Sequence, residues 1–150
     1  MHHDCQPYYV PNGEENWKET NFNEHASTWM QPMTKITPSK VVEIPANWHL
    51  DDWPPFVVSK SPKSHGFVDP DVIEKLWKKQ FDYFYREYDT FIFPMTIHPQ
   101  VSGKPQVILM HENIIEHINS HEGVEWVTME QIVDEFKSGK ISGASVEGGV

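Results

Sequence analysis

The chain has 150 residues, enough for one domain with one core, and its 38% apolar and 23% charged residues exclude compositional disorder. A formal net charge of −10 leaves no electrostatic footprint for nucleic acid or an anionic membrane, and no basic cluster offsets it locally. One cysteine, Cys5, rules out an intrachain disulfide; no apolar run reaches transmembrane length, and "MHHDCQPYYVPNG" lacks the basic and apolar regions of a signal peptide, so the chain reads as cytoplasmic.

In chain order, "PYYV" reads as a short strand. Residues 11–40, rich in Asn, Thr, Pro and Ser, read as an extended loop with at most one strand, and loops of that length are usually functional. The β-branched run "KVVEIP" is expected to be a buried strand near 41–45. "ANWHLDDWPPF" follows it. Its prolines forbid a long helix and push their predecessors towards extended geometry, which leaves Asp51 and Asp52 on a loop between indole rings. "DPDVIEKLWKKQFDYFYREYD" has the clearest helical signal. Asp69 can cap it, Pro70 suits its first turn, and Ile73, Leu76, Trp77, Phe84 and Tyr88 fall at helical spacing.

"FIFPMTIHPQ" reads as a strand over 92–97 with Pro94 at an edge or bulge. A second amphipathic helix spans about 106–119, with Val107, Ile114, Ile115 and Ile118 on one face. "VEWV" reads as a strand over 124–127. Thr128 with Gln131 has capping-box spacing for a last helix, and the Gly/Ser-rich residues 138–150 read as a flexible tail. Strand and helix alternate, which argues for a parallel α/β arrangement with the two long helices on one side of the sheet.

In such folds functional side chains gather at the carboxyl ends of strands. His98 closes one expected strand, and the Asp51–Asp52 pair lies just past another. A carboxylate beside an imidazole fixes its tautomer and favours its protonated form, which suits it to donate a proton near neutral pH. Six tryptophans exceed what a core of this size needs and point to an aromatic-lined groove.

The elements "VVEIPANWHLDDWPPF", "LWKKQFDYFY", "FIFPMTIHPQVSGKPQVILMHENIIEHI" and "GVEWVTMEQIVDEF" resemble, in order, the C-terminal half of the polysaccharide deacetylase (NodB-homology) family. The branch resembled includes peptidoglycan-deacetylase-like and allantoinase-like members, and "MHHDCQPYYV" resembles its Asp-before-Pro-Tyr element. The resemblance spans residues 1–137 and is most specific at Trp-x-x-Asp-Asp (48–52) and His-Pro-x-x-x-Gly-x-Pro (98–105). It implies the C-terminal portion of a distorted (β/α) barrel and a metal-dependent hydrolase of carbon–nitrogen bonds, such as N-acetyl groups on amino sugars. Carried over, His98 is the general acid and Asp51 or Asp52 orients and charges it. Trp48 and Trp53 line the substrate groove, with Asp4 facing it.

The family holds zinc or cobalt on an early Asp-Asp motif and a His-x-x-x-His motif that have no counterpart here, so no metal ligand is expected in this chain. His117 and His121 have the second spacing, but near a helix C-terminus they read as groups favourable to the helix dipole. Adjacent His2 and His3 would point to opposite faces of a strand. His111 reads as a core histidine with a hydrogen-bond partner, Glu43 as groove or rim, and His49 as exposed. Cys5 lacks an activating neighbour other than His2 and His3. Two functions follow as expectations. One is a truncated deacetylase acting on a carbohydrate or small amide when complete and inactive alone. The other is a noncatalytic carbohydrate- or partner-binding fragment, whose open sheet edges would call for a homo-oligomer or the missing half.

Overall fold

The computed structural model describes residues 5–11, 21–25, 27, 38–61 and 63–143. They are mixed α/β and fall into two compact units, Met1–Ile44 with Met129–Val150, and Pro45–Thr128. In the first unit, strands β1 (Tyr8–Pro11) and β2 (Pro38–Glu43) pair antiparallel, Tyr8 opposite Glu43 and Tyr9 opposite Val42. The register slips before Pro11, a residue with no N–H to give the ladder. The closing helix of this unit, Met129–Lys137, sets Phe136 with its ring 4.9 Å from that of Tyr9. It ends where Gly139 takes φ 76°, so that the Gly139 N–H reaches the Phe136 carbonyl and the Lys140 N–H that of Glu135. Only glycine adopts that backbone cheaply.

The second unit carries the core. It opens with a 3-10 turn, Trp48–Leu50, then α1 (Trp53–Phe56), and a hairpin of β3 (Val58–Lys60) with β4 (Lys63–His65). Three helices follow: α2 (Pro70–Glu87), a single turn α3 (Pro99–Ser102) and α4 (Pro105–Asn119). The α2 start is set by Asp69, whose carboxylate accepts the Asp71 N–H at 3.0 Å, with Pro70 in the first turn. Trp77 and Phe81, four residues apart on α2, face Val107, Met110, Ile114 and Ile118 of α4. Leu50, Phe56 and Val101 complete the buried cluster. Full burial of a side chain of this kind contributes roughly 1.5–3 kcal/mol, so these two helix stripes dominate the unit's stability.

Both long helices match the sequence periodicity, with exchanges at their edges. Phe81 and Met110 are buried, whereas Leu76 and Ile115 are exposed, because the core-facing stripe is narrower than the apolar content of either helix.

The parallel strand set is corrected. β2 pairs antiparallel with β1, not with a parallel neighbour. Residues 91–97 pack Phe91, Phe93 and Met95 against the core, yet make a single bridge, Asp51 with Thr96. Residues 124–127 form no ladder among the described residues. An apolar run becomes a strand only where a neighbouring backbone takes its N–H and C=O groups, and Pro94 lacks one of those donors. The one bridge that forms is parallel, with the Asp52 N–H on the Thr96 carbonyl at 3.2 Å and the Thr96 N–H on that of Leu50 at 2.9 Å.

Candidate active site

That bridge aligns the Asp51–Asp52 loop with the segment leading to His98. The loop is held on α2 by Asn47, whose side chain accepts the His49 N–H at 2.9 Å and donates to Gln80 Oε1 at 3.1 Å. Gln80 in turn donates to the His49 carbonyl at 3.2 Å. Trp53 starts α1 directly after the pair, with Pro54 and Pro55 in its single turn, and Asp51 Oδ1 accepts the Trp53 N–H at 2.7 Å. Asp51 is therefore turned towards its own chain, an Asx-type contact.

Asp52 is turned inward and is fully buried, with 0% of its surface exposed. Its Oδ1 lies 2.6 Å from His98 Nδ1, its Oδ2 accepts the His98 backbone N–H at 2.8 Å, and Ser102 Oγ donates to the same Oδ2. Three donors on one carboxylate are what a buried charge requires. His98 Nδ1 also lies 3.8 Å from Asp51 Oδ1, beyond hydrogen-bond reach. Of the two aspartates, Asp52 is the direct partner of His98.

Protons can be assigned from these contacts. An ionised carboxylate only accepts, so His98 carries a proton on Nδ1 and Ser102 gives its single proton to Asp52. The Ser102 oxygen then accepts from His111 Nε2, 3.0 Å away, which places the His111 proton on Nε2. Burial holds His111 below the usual imidazole range, and the Asp52 charge opposes that in part. The result is a chain His111–Ser102–Asp52–His98, packed at one end against Trp77, whose ring centre is 5.7 Å from that of His111. At the other end His98 is part exposed, and its Nε2 makes no hydrogen bond among the described residues. The Trp53 ring lies 4.9 Å from that of His98.

The structure thus brings together His98, Asp52, Asp51 and Trp53. Trp48, 82% exposed, makes no ring contact among the described residues. Asp4 lies outside the described residues, and Glu43 belongs to the other unit, opposite Tyr8 in the β1–β2 pair. His49 is exposed and Cys5 is buried. Ser102 was not read from the sequence. It stands four residues after His98, one helical turn, and that spacing was the available signal. The partner expected for His111 is this same serine.

Asp51, Asp52 and His98 offer atoms within 4.8 Å of one another, and such a trio could in principle hold a cation. Its donor set does not fit one. Both Asp52 oxygens are already taken by N–H and O–H groups, and Asp51 Oδ1 by the Trp53 N–H. Within the trio, Asp52 and His98 form a hydrogen-bonded pair and Asp51 stands beside it.

No family model matches the chain. It is 53% identical over 137 residues to the peptidoglycan deacetylase of Helicobacter pylori and 34% identical over 142 residues to a peptidoglycan deacetylase-like protein of Gibberella zeae. Those matches take in 91% and 89% of this chain but 46% and 42% of the relatives, so the chain spans about half the length of the curated proteins it matches. A solved structure from Mycobacterium smegmatis, described as a polysaccharide deacetylase, superposes with a TM-score of 0.59 over 70% of this chain and 36% of that one. At 23% identity that likeness concerns the fold alone.

Proposed function

We propose, for a chain that belongs by sequence with the polysaccharide deacetylases, that it carries the proton-donating part of an amide hydrolase acting on N-acetyl groups of a carbohydrate. The observation that carries this reading is the buried Asp52 carboxylate 2.6 Å from Nδ1 of a part-exposed histidine. With Nδ1–H held by Asp52, Nε2 is the nitrogen left to meet substrate. Because Asp52 holds Nδ1–H, a protonated ring can give up only its Nε2 proton. Loss of the Nε2 proton to the departing amine then completes scission of the carbon–nitrogen bond. Ser102 and His111 keep Asp52 oriented, and Trp53 packs on the working ring and offers an indole face to a sugar.

In this reading, residues 1–137 are the later part of a distorted (β/α) barrel. The divalent ion of the complete domain, which would activate the attacking water, is held by residues outside these 150. The chain alone is then inactive. The test is acetate release from N-acetylated peptidoglycan by this chain mixed with the complementary segment of the Helicobacter relative. Release that depends on both parts and is lost in His98→Ala supports the reading. Release that survives His98→Ala removes the general-acid role. Binding of the glycan with no release from the mixture favours the second reading, a noncatalytic carbohydrate module, which rests on the 82% exposure of Trp48 and 40% of Trp53.

A further inference from the structure

A second group of metal-ligating atoms lies between α2 and α4. Asp82 on α2 and His117 and His121 at the end of α4 offer atoms within 4.8 Å of one another. Asp82 is half exposed and takes one histidine N–H, where the fully buried Asp52 takes three donors, so the Asp82 carboxylate has room for a cation. His121 Nδ1 donates to the His117 carbonyl at 2.8 Å, and the Ser120 hydroxyl gives its own proton to that carbonyl at 2.6 Å. The neutral His121 ring therefore carries its proton on Nδ1 and a lone pair on Nε2. That lone pair lies 3.9 Å from Asp82 Oδ1, itself an anionic acceptor. The His121 Nε2 lone pair is thus free of a hydrogen bond among the described residues, and Asp82, half exposed, keeps its second oxygen clear of any protein donor described, so a cation can be shared between them.

The third atom, His117 Nε2, is 2.6 Å from the same Asp82 oxygen, so a proton occupies that contact. Zinc-type ions sit 2.0–2.1 Å from imidazole nitrogen and carboxylate oxygen, which puts tetrahedral ligand atoms roughly 3.4 Å apart. The 2.6 and 3.9 Å separations straddle that edge, and the Asp82 side chain, 50% exposed, is able to adjust. His121 is held by more than its own hydrogen bond. The Tyr85 and Phe81 rings lie 4.7 and 5.0 Å from it, and the Tyr85 hydroxyl donates to the Glu122 carbonyl at 3.3 Å. A hydrogen bond from the ring's other nitrogen to a backbone carbonyl is the usual support of a ligating histidine.

We propose that Asp82, His117 and His121 form a binding site for a divalent transition ion of the zinc class, clipping α2 to α4. Two imidazoles and one carboxylate favour zinc, copper or nickel over calcium or magnesium, whose sites are built of oxygens. On binding, the ion takes the place of the proton at His117 Nε2, which moves to Nδ1 or to solvent. Water completes the coordination, because the two histidines are 27% and 22% exposed. The site is made of different residues from the Asp52–His98 pair and does not depend on the deacetylase reading.

The experiment is titration of the whole chain with Zn²⁺ by calorimetry, and with Co²⁺ by visible absorption, under circular-dichroism control of folding. The expected result is one equivalent bound at micromolar concentrations. Affinity should fall by about tenfold or more in both Asp82→Asn and His117→Gln and stay unchanged in His98→Ala, which tests the other trio. No binding below millimolar Zn²⁺ overturns the proposal. So does an affinity unmoved by either of the first two substitutions, or one lost in His98→Ala.

Discussion

Replacement of Asp52 tests the centre of the molecule most directly, because one carboxylate terminates three hydrogen bonds in a place water does not reach. In Asp52→Ala, His98 Nδ1–H, the His98 backbone N–H and the Ser102 hydroxyl lose their acceptor together. Bonds to a charged group contribute about 1.5–3 kcal/mol each, but three on one atom pair are not additive. The appropriate scale is the roughly 3–5 kcal/mol measured when one partner of a buried ionic pair is removed, a large share of a domain's 5–15 kcal/mol. Asp52→Asn separates charge from shape. The amide oxygen still accepts from the His98 N–H and Ser102, but its NH₂ now faces His98 Nδ1, which must become an acceptor and pass its proton to Nε2. The asparagine variant should therefore lose about 1–3 kcal/mol and invert the His98 tautomer. Urea denaturation measures the first and the ¹⁵N shifts of the imidazole ring the second. An asparagine variant with stability within about 0.5 kcal/mol of the parent and unchanged ring shifts would refute the assigned bonding.

Three further outcomes are expected. Ser102→Ala strips an acceptor from His111 and a donor from Asp52 and should cost about 1–3 kcal/mol in urea denaturation, with Ser102→Thr recovering part of it. Trp77→Ala, at a residue 1% exposed in the middle of the core, should cost about 3–5 kcal/mol in urea denaturation, whereas Trp48→Ala, at a residue 82% exposed, should change stability by no more than about 0.5 kcal/mol. Acid should destabilise the fold in part through His111. Its folded value lies below the ordinary 6.5, so as pH falls through 6.5 the unfolded chain takes up a proton that the folded chain refuses. The stability present above pH 6.5 is then lost progressively until the folded group also titrates. Thermal melts from pH 7.5 downward should show a shallower acid slope in His111→Gln than in the parent.

What the sequence determined by itself lies in local chemistry. Asp69-Pro70 and the apolar spacing after it specify α2, and Pro105 with its periodic followers specifies α4, because capping and a buried stripe need only neighbours along the chain. The prolines around Asp51 and Asp52 likewise dictate a short irregular loop. Resemblance in the His-Pro and Asp-Asp elements was sufficient to bring His98 and the aspartate pair to one place, although not to choose between Asp51 and Asp52. That choice needed the third dimension. Two adjacent residues on a turn face different ways, and only the bridge to Thr96 shows which carboxylate is carried inward and buried. The strands were over-read for the same reason. The apolar run before His98 packs Phe91, Phe93 and Met95 against the core and 124–127 only Val124, while a ladder is a property of two backbones, and the second backbone is not written in the run itself. Phe81 took the core position that Leu76 was expected to share because the angle at which α4 lies on α2 selects the buried stripe. The meeting of Asp82 with His117 and His121, residues 35 and 39 positions apart along the chain, was decided by that packing alone.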